Sequence, residues 1–170
     1  MPTPRIRPLD LTDDATASAV HRIGLAAYAV EAELIGFDGI PALRESLADM
    51  RARDLHWVGA VVTDGGAAAD LAGFLAWAEA ADGSLHIDRL CVAPAHFRRG
   101  VASLLLRHAL AELAPDRPVH VTTGADNTPA LRLYTGLGFV RGADFSPAPG
   151  LRMAAFTRPP REAHGGPSGA

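Results

Sequence analysis

The chain has 170 residues, 48% of them hydrophobic and 21% charged, which is enough for one globular domain with a buried core. Its net charge of −3 and its lack of a basic run argue against general nucleic-acid binding. No apolar stretch reaches the length of about 18 residues that a membrane span needs. The single cysteine, Cys91, excludes an internal disulfide, and the lack of an apolar signal region near the start favours a cytoplasmic location.

The first third of the chain predicts a strand followed by two helices. Residues 5–9 are typical of a short strand that an acidic turn ends. Thr12 is predicted to cap a helix that runs to about Leu34 and ends at Gly36. A second helix is predicted to begin at Pro41, with its apolar residues on one face.

Three strands are predicted next, over residues 57–63, 71–80 and 85–92, the first two joined by a turn at 64–66. In the third strand the apolar residues change from odd to even positions: Leu85 and Ile87 are followed by Leu90 and Val92. Because side chains alternate faces with a period of two, the change indicates one extra residue near Asp88-Arg89, which is a β-bulge. The other interpretation is that both faces of this strand are covered, so that the alternation carries no information.

The segment between this strand and the next predicted helix is suited to bind an anion. Arg98, Arg99 and Gly100 precede a helix that begins at Val101. The first turn of a helix has free N–H groups and a positive end of the macrodipole, and Gly100 lets a pyrophosphate approach the backbone. The alternative is an ordinary connection with a solvated arginine pair. Neither a Walker nor a Rossmann glycine pattern is present.

The last third predicts a strand over 118–123 and then a short helix. Asn127 or Thr128 caps this helix, Pro129 lies in its first turn, and Gly138 ends it. Asn127 and Tyr134 are two helical turns apart, so both can lie on one face; a tyrosine of the core is the other interpretation. Strands over 139–141 and 151–157 follow, and residues 159–170 are predicted to be a disordered tail.

Two of these segments resemble the GCN5-related N-acetyltransferase (GNAT) superfamily. Val92, Pro94, Gly100 and Ala102 match its acyl-CoA loop, V-x-P and then Q/R-x-x-G-x-G/A. Residues 127–139 match its later motif, N-x-x-A-x-x-x-Y-x-x-x-G-F. Phe97 departs from the pattern, because the family usually has Gln or Arg there.

The resemblance implies an α/β protein with the GNAT fold over residues 1–158. In that fold helices flank a mixed central β-sheet, and a V-shaped splay separates the two central parallel strands. The resemblance also implies acetyl-CoA as co-substrate and no metal. The implied acetyl-CoA-binding residues are Cys91, Val92, Arg98, Arg99, Gly100, Val101, Ala102, Ser103, Asn127 and Tyr134.

The implied reaction is transfer of the acetyl group to a primary amine by direct attack in a ternary complex. The resemblance implies that Tyr134 protonates the CoA thiolate or donates a hydrogen bond to it. A backbone N–H near Leu90 or Cys91 is expected to stabilise the oxyanion. His86 and Asp88 are the candidate bases. Alternative readings are Glu79 as the base, and Cys91 either as a covalent acyl carrier or as a buried residue beside the pantetheine.

The acceptor is left open by the sequence. In this family the first two helices usually form one wall of its site, and here they carry residues that suit a cation, namely Tyr28, Glu31, Glu33, Phe37 and Asp38. A solvated helix face explains them equally. Small amines, amino acids, polyamines, antibiotics and peptide amines all fit, and a homodimer is one option for the assembly. The alternative function is a non-catalytic GNAT-fold module that binds or senses acyl-CoA.

Overall fold

The central sheet of the protein is mixed and is built from eight strands in the computed structural model, which describes residues 2–63 and 69–161. The strands are β1 (Arg5–Pro8), β2 (His56–Val62), β3 (Asp70–Glu79), β4 (Leu85–Val92), β5 (Val119–Gly124), β6 (Val140–Arg141), β7 (Phe145–Ala148) and β8 (Leu151–Arg158). Their order is β1-β2-β3-β4-β5-β8-β6, and β7 also pairs with β8. Only β4 and β5 pair in parallel among these described strands.

Helices cover both faces of this sheet. They are α1 (Asp14–Ile35), α2 (Leu47–Arg51), α3 (Val101–His108) and α4 (Thr128–Gly136), with single 3₁₀ turns at Pro41–Leu43 and Pro94–His96 and a π-helical turn at Ala109–Leu113. One core cluster lies between the sheet and the helices α3 and α4, and a second lies under α1. No helix in the described part of the chain is long and apolar enough to cross a membrane.

Two helix starts differ from the predictions. The carboxylate of Asp13, not the Thr12 hydroxyl, caps α1 by accepting a hydrogen bond from the backbone N–H of Thr16 at 2.9 Å. Thr12 is instead bound to the side chain of Asp10. The helix predicted from Pro41 is only a 3₁₀ turn, because α2 begins after the true capping residue, Ser46.

Two predicted segments lie outside the described residues, and one strand was missed. The turn predicted at 64–66 lies outside the described residues, as does the predicted tail from residue 162 onward. Strand β7 was not predicted, since Pro147 lowers the strand propensity of its segment. Pro147 is tolerated because the pairing of β7 with β8 is irregular there, with a shift of register between Phe145 and Ala148.

The bulge predicted in β4 is confirmed. Ala76 of β3 pairs with Arg89 while the next residue of β3, Trp77, pairs with Ile87, so that Asp88 is the extra residue. The core contacts change accordingly. Ile87 packs in the cluster under α3 and α4, and beyond the bulge Leu90 packs against that same cluster. The bulge therefore shifts every following side chain of β4 by one position.

The splay between the central parallel strands is also confirmed. Strands β4 and β5 pair only at Leu85 with Val119 and at His86 with His120. Beyond these two pairs the strands carry no ladder between them, although both continue for several residues. The sheet therefore opens toward the carboxyl ends of β4 and β5, just past the bulge.

Candidate active site

A cavity of about 650 Å³ lies in the splay. Strand β4 lines it with Leu90, Cys91 and Val92, and β5 lines it with residues 121–123. The remaining walls come from α1 and the turn after it, the loop before α3 and the start of α3, helix α4 and strand β8. A cavity of this size, with mostly apolar walls and a few polar groups, is typical of a small-molecule site.

The loop before α3 is held in an unusual backbone conformation. Arg98 has a φ of +61°, in the left-handed region that side chains rarely adopt, and Gly100 has a φ of +75°. Gly100 occupies the N-cap position of α3 and has no side chain to cap it. The first hydrogen bond of the helix runs from the N–H of Leu104 to the carbonyl of Gly100, so the preceding N–H groups are free to meet an anion.

Most of the residues predicted for this loop line the cavity. They are Arg98, Gly100, Val101, Ala102 and Ser103, and the departing residue Phe97 lines it as well. Arg99 is exposed and does not line the cavity. Asn127 does: its side chain caps α4 by accepting from the N–H of Ala130 at 3.3 Å and donates to Oγ1 of Thr123 at 3.4 Å. This amide links α4 to the open end of β5.

Tyr134 lies on the wall formed by α4. Its ring packs against Phe139 and Phe156, with ring centroids 5.4 Å apart in each case, and the residue is 5% exposed. It nevertheless lines the cavity. Burial, and secondarily the negative charge of Glu31, raise the pKa of the Tyr134 hydroxyl above its ordinary value. The hydroxyl is therefore a neutral donor at physiological pH.

The backbone of β4 directs particular amides into the splay. The N–H of Ala93 donates to the carbonyl of Ala72 at 2.8 Å, so this amide faces β3. Successive amides of a strand alternate in direction, and the N–H of Cys91 therefore also faces β3. The N–H groups of Leu90 and Val92 face the opposite edge, where β4 has no strand partner at that level. Of the two amides considered for the oxyanion, that of Leu90 is the one that faces the splay.

The three candidate bases lie in different places. His86 is at the closed end of the splay, its ring centroid 4.8 Å from that of His120, and does not line the cavity. Glu79 forms an ion pair with Arg117 at 3.0 Å, also away from the cavity. Asp88 lines the cavity, but both of its carboxylate oxygens are engaged by arginines.

A buried charge network, which the sequence did not reveal, holds the bulge. Arg89 is 8% exposed, and it donates to Asp88 and to Glu45, each at 2.9 Å. Its guanidinium also lies 5.8 Å from the ring centroid of Trp57. Burial lowers the pKa of Arg89, but the hydrogen bonds to the two carboxylates outweigh it, and Arg89 stays charged. The only sequence signal for this network was an arginine within an apolar strand.

Cys91 lies deep in the wall beside Tyr28. The residue is 2% exposed, and burial raises the pKa of its thiol to about 12. The thiolate, which is the nucleophilic form, is therefore scarce at neutral pH. This environment is that of a buried apolar residue.

Glu31 of α1 is a further carboxylate in the cavity. Its Oε1 atom accepts long hydrogen bonds of 3.4 Å from Oγ1 of Thr123 and from the N–H of Gly124. The nearby acidic residues Glu33 and Asp38 are exposed and do not line the cavity. Of the acidic residues that the sequence offered on this segment, the fold brings Glu31 to the site.

Comparison with known proteins finds a relative by sequence. The chain is 34% identical over 140 residues to the UPF0157 protein YqkA of Bacillus subtilis (strain 168). That match covers 82% of this chain and 39% of YqkA, so the chain spans about two fifths of the length of this relative.

Solved structures of low sequence identity share the fold. A histone acetyltransferase HPA2-related protein from Corynebacterium glutamicum has a TM-score of 0.73 at 17% identity, covering 95% of this chain and 99% of its own. The ribosomal-protein-S18-alanine N-acetyltransferase of Escherichia coli has a TM-score of 0.68 at 19% identity, with coverages of 98% and 99%. The PaiA N-acetyltransferase of Thermoplasma acidophilum, crystallised with coenzyme A, has a TM-score of 0.66 at 15% identity, with coverages of 90% and 98%.

A family model places the chain among these proteins by sequence as well. The model of the acetyltransferase (GNAT) family matches residues 18–139, which include β4, the loop before α3 and the motif that carries Tyr134. The chain belongs to the acetyltransferase (GNAT) family.

Proposed function

We propose that this protein transfers the acetyl group of acetyl-CoA to a primary amine by direct attack in a ternary complex. The observation that carries the proposal is the arrangement of three groups around one cavity. These are the free N–H groups at the start of α3, the cleft-facing N–H of Leu90 and the hydroxyl of Tyr134. Family membership and the coenzyme A bound to the PaiA structure support the choice of co-substrate.

The start of α3 is the proposed site of the CoA pyrophosphate. Its uncapped N–H groups at 101–103 offer hydrogen bonds, and the helix dipole adds positive potential. Arg98 adds a full charge on the cavity wall. The pantetheine then lies along the open edge of β4, next to Cys91 and Val92, with Asn127 on the α4 side. Arg99 stays outside the cavity lining, and we assign it no contact.

The proposed chemistry follows from these positions. The lone pair of the neutral amine attacks the thioester carbon, and the N–H of Leu90 stabilises the oxyanion that forms. The C–S bond then breaks, and the hydroxyl of Tyr134 donates to the departing sulfur, which ends as a thiol. The nitrogen loses one proton to water in the cavity, and Tyr134 regains one from that water, so that the products are an amide and CoA and Tyr134 is restored.

No side chain is assigned as the base. His86 and Glu79 lie away from the cavity, and the oxygens of Asp88 are held by Arg53 and Arg89. Water in the cavity then takes the proton from the ammonium form of the acceptor. The reference pKa of an alkylammonium, about 10.4, leaves roughly one molecule in a thousand as the neutral amine at pH 7. The buried, protonated thiol of Cys91 argues against a covalent acyl-enzyme.

The test is release of CoA thiol from acetyl-CoA in the presence of pooled primary amines. The proposal expects thiol release that depends on the amine, and a product in which an acetyl group has replaced one hydrogen of the amine, as mass spectrometry would show. Binding of acetyl-CoA without amine-dependent release would favour the non-catalytic module instead. The cytoplasmic location, the homodimer and the domain limits of 1–158 stay predictions.

A further inference from the structure

The cavity holds one carboxylate without a cationic partner among the described residues. Glu31 has no ion pair there; its hydrogen bonds are the two long ones from Thr123 and Gly124 on β5. Asp88, by contrast, is paired with two arginines, and Glu45 is paired with Arg89. A half-buried carboxylate is costly to desolvate unless a positive charge meets it. Glu31 is therefore poised for a cation that enters with a ligand.

Apart from the Thr123 hydroxyl that Glu31 binds, much of the cavity lining on α1, after α1 and on β8 is apolar. These apolar walls are formed by Val30, Leu34, Ile35, Ile40, Leu151 and Met153. Leu34 is 47% exposed, so apolar surface reaches the outside of the molecule beside the cavity. These walls gain free energy from an apolar ligand body and offer no hydrogen bonds to a strongly polar one.

Among the described residues, no arginine that lines the cavity is free to pair with the carboxylate of a ligand. Arg89 lines the cavity, but Glu45 and Asp88 already engage it. Arg98 lies in the loop before α3, where the CoA pyrophosphate is placed. The carboxylate of a free amino acid would thus stand near Glu31 without a positive partner among the described residues, and like charges repel.

We propose that Glu31 binds the ammonium group of the acceptor and that the acceptor is a primary amine attached to an apolar body. This inference rests on the proposed function and narrows its substrate class. Glu31 acts by binding, since a carboxylate is a weaker base than an alkylamine by about six pKa units in reference compounds. The bound ammonium gives its proton to water before the neutral nitrogen attacks.

The first test compares amines on the wild-type protein. 2-Phenylethylamine joins an ammonium to an apolar ring, phenylalanine adds a carboxylate, and 1,4-diaminobutane lacks the apolar body. We expect kcat/KM for 2-phenylethylamine to exceed both others by about tenfold or more, since phenylalanine brings an unpaired carboxylate near Glu31 and 1,4-diaminobutane loses the apolar contact. Equal or better acetylation of phenylalanine or diaminobutane would overturn the inference.

The second test uses Glu31→Gln, with Glu33→Gln on the exposed side of the same helix as the matched control. Loss of a charge-assisted contact should raise the KM for 2-phenylethylamine by about tenfold to a hundredfold. Aniline is neutral at pH 7, so its KM should be the same in Glu31→Gln as in the wild type. If aniline is not acetylated and only competes with 2-phenylethylamine, its inhibition constant should be the same instead. The KM for acetyl-CoA should stay within about twofold of the wild type, and Glu33→Gln should change none of these values.

The outcomes separate the two proposals. An unchanged KM for 2-phenylethylamine in Glu31→Gln, or an equal rise for aniline, overturns the role of Glu31 while acetyl transfer stands. A wild-type protein that neither binds acetyl-CoA nor acetylates any amine overturns both. If Glu31→Gln does not fold, as judged by its melting transition, the comparison of amines on the wild-type protein decides.

Discussion

The guanidinium of Arg89 donates to the carboxylate of Glu45 at 2.9 Å, across 44 residues of sequence. Arg89 follows the bulge residue Asp88 on β4, and Glu45 lies just before α2. The contact therefore ties the segment after α1 to the point where the sheet opens. It fixes that segment relative to the strand whose Leu90 amide faces the splay.

Removing one partner of this pair should destabilise the protein. The side chains of Arg89 and Glu45 are only 7% and 12% exposed, so Glu45→Ala leaves a buried guanidinium with Asp88 as its remaining close carboxylate. We expect the free energy of unfolding to fall by about 3 kcal/mol, as for other broken buried pairs. Urea denaturation measures this loss of stability, and Glu33→Ala, a substitution of an exposed residue, is the control. A loss no larger than that of the control would show that the pair contributes little.

Tyr134→Phe should separate catalysis from binding. The ring keeps its packing against Phe139 and Phe156, but the donor to the departing sulfur is lost. We expect kcat to fall by about tenfold to a thousandfold, the range of acid catalysis, with little change in the KM for acetyl-CoA. Steady-state thiol release at saturating amine provides the measurement. Wild-type kcat in this variant would assign Tyr134 to the core alone.

Local features of the fold could be predicted from the sequence where a single residue pattern pointed to one structure. The change of parity from Ile87 to Leu90 located the bulge, because alternation along a strand directly records which face is buried. The cap of α1 was misplaced by one residue, since Thr12 and Asp13 are both good caps; Thr12 binds Asp10, two residues before it, and Asp13 is left to cap the helix. The preference of each residue type for the capping position does not by itself rank two such neighbours.

Contacts between segments that are distant in sequence could not be predicted from local patterns. Nothing local to Arg89 indicates that Glu45 will neutralise it, and nothing local to Glu31 separates it from Glu33 as the residue that faces β5. The predicted loop residues and Tyr134 do meet around one cavity, with Arg99 outside its lining. His86 was a reasonable candidate base by its place on β4, but it precedes the splay and so lies at its closed end.

Alkaline pH should lower stability through the buried acids of the cavity wall. Burial raises the pKa of Cys91 to about 12, from 9.0 for an ordinary thiol, so above pH 9 the unfolded chain loses this proton before the folded one does. The free energy of unfolding is therefore unaffected by this group below pH 9 and falls as pH rises toward 12. One such proton accounts for a slope of at most about 1.4 kcal/mol per pH unit.

The measurement is urea denaturation between pH 7 and about pH 11 for the wild type and for Cys91→Ala. The variant should lose part of the alkaline slope, while the half-buried Tyr28 and the buried Tyr134, whose pKa values are also raised, keep the rest. Identical slopes in the two proteins would mean that the thiol is better solvated than its position indicates.

Occupation of the splay by acetyl-CoA is the claim on which every catalytic step depends, and the melting temperature with acetyl-CoA tests it most directly. A ligand at a hundred times its Kd stabilises the folded state by about 2.7 kcal/mol, which raises the melting temperature of a domain of this size by about 5 to 10 °C. Gly100→Val places a side chain where the pyrophosphate should lie. Gly83→Val is the matched control, because Gly83 has a similar positive φ of +82° in a turn that does not line the cavity. We predict a rise for the wild type and for Gly83→Val and little rise for Gly100→Val; no rise in the wild type, or an equal rise in all three, would contradict the account.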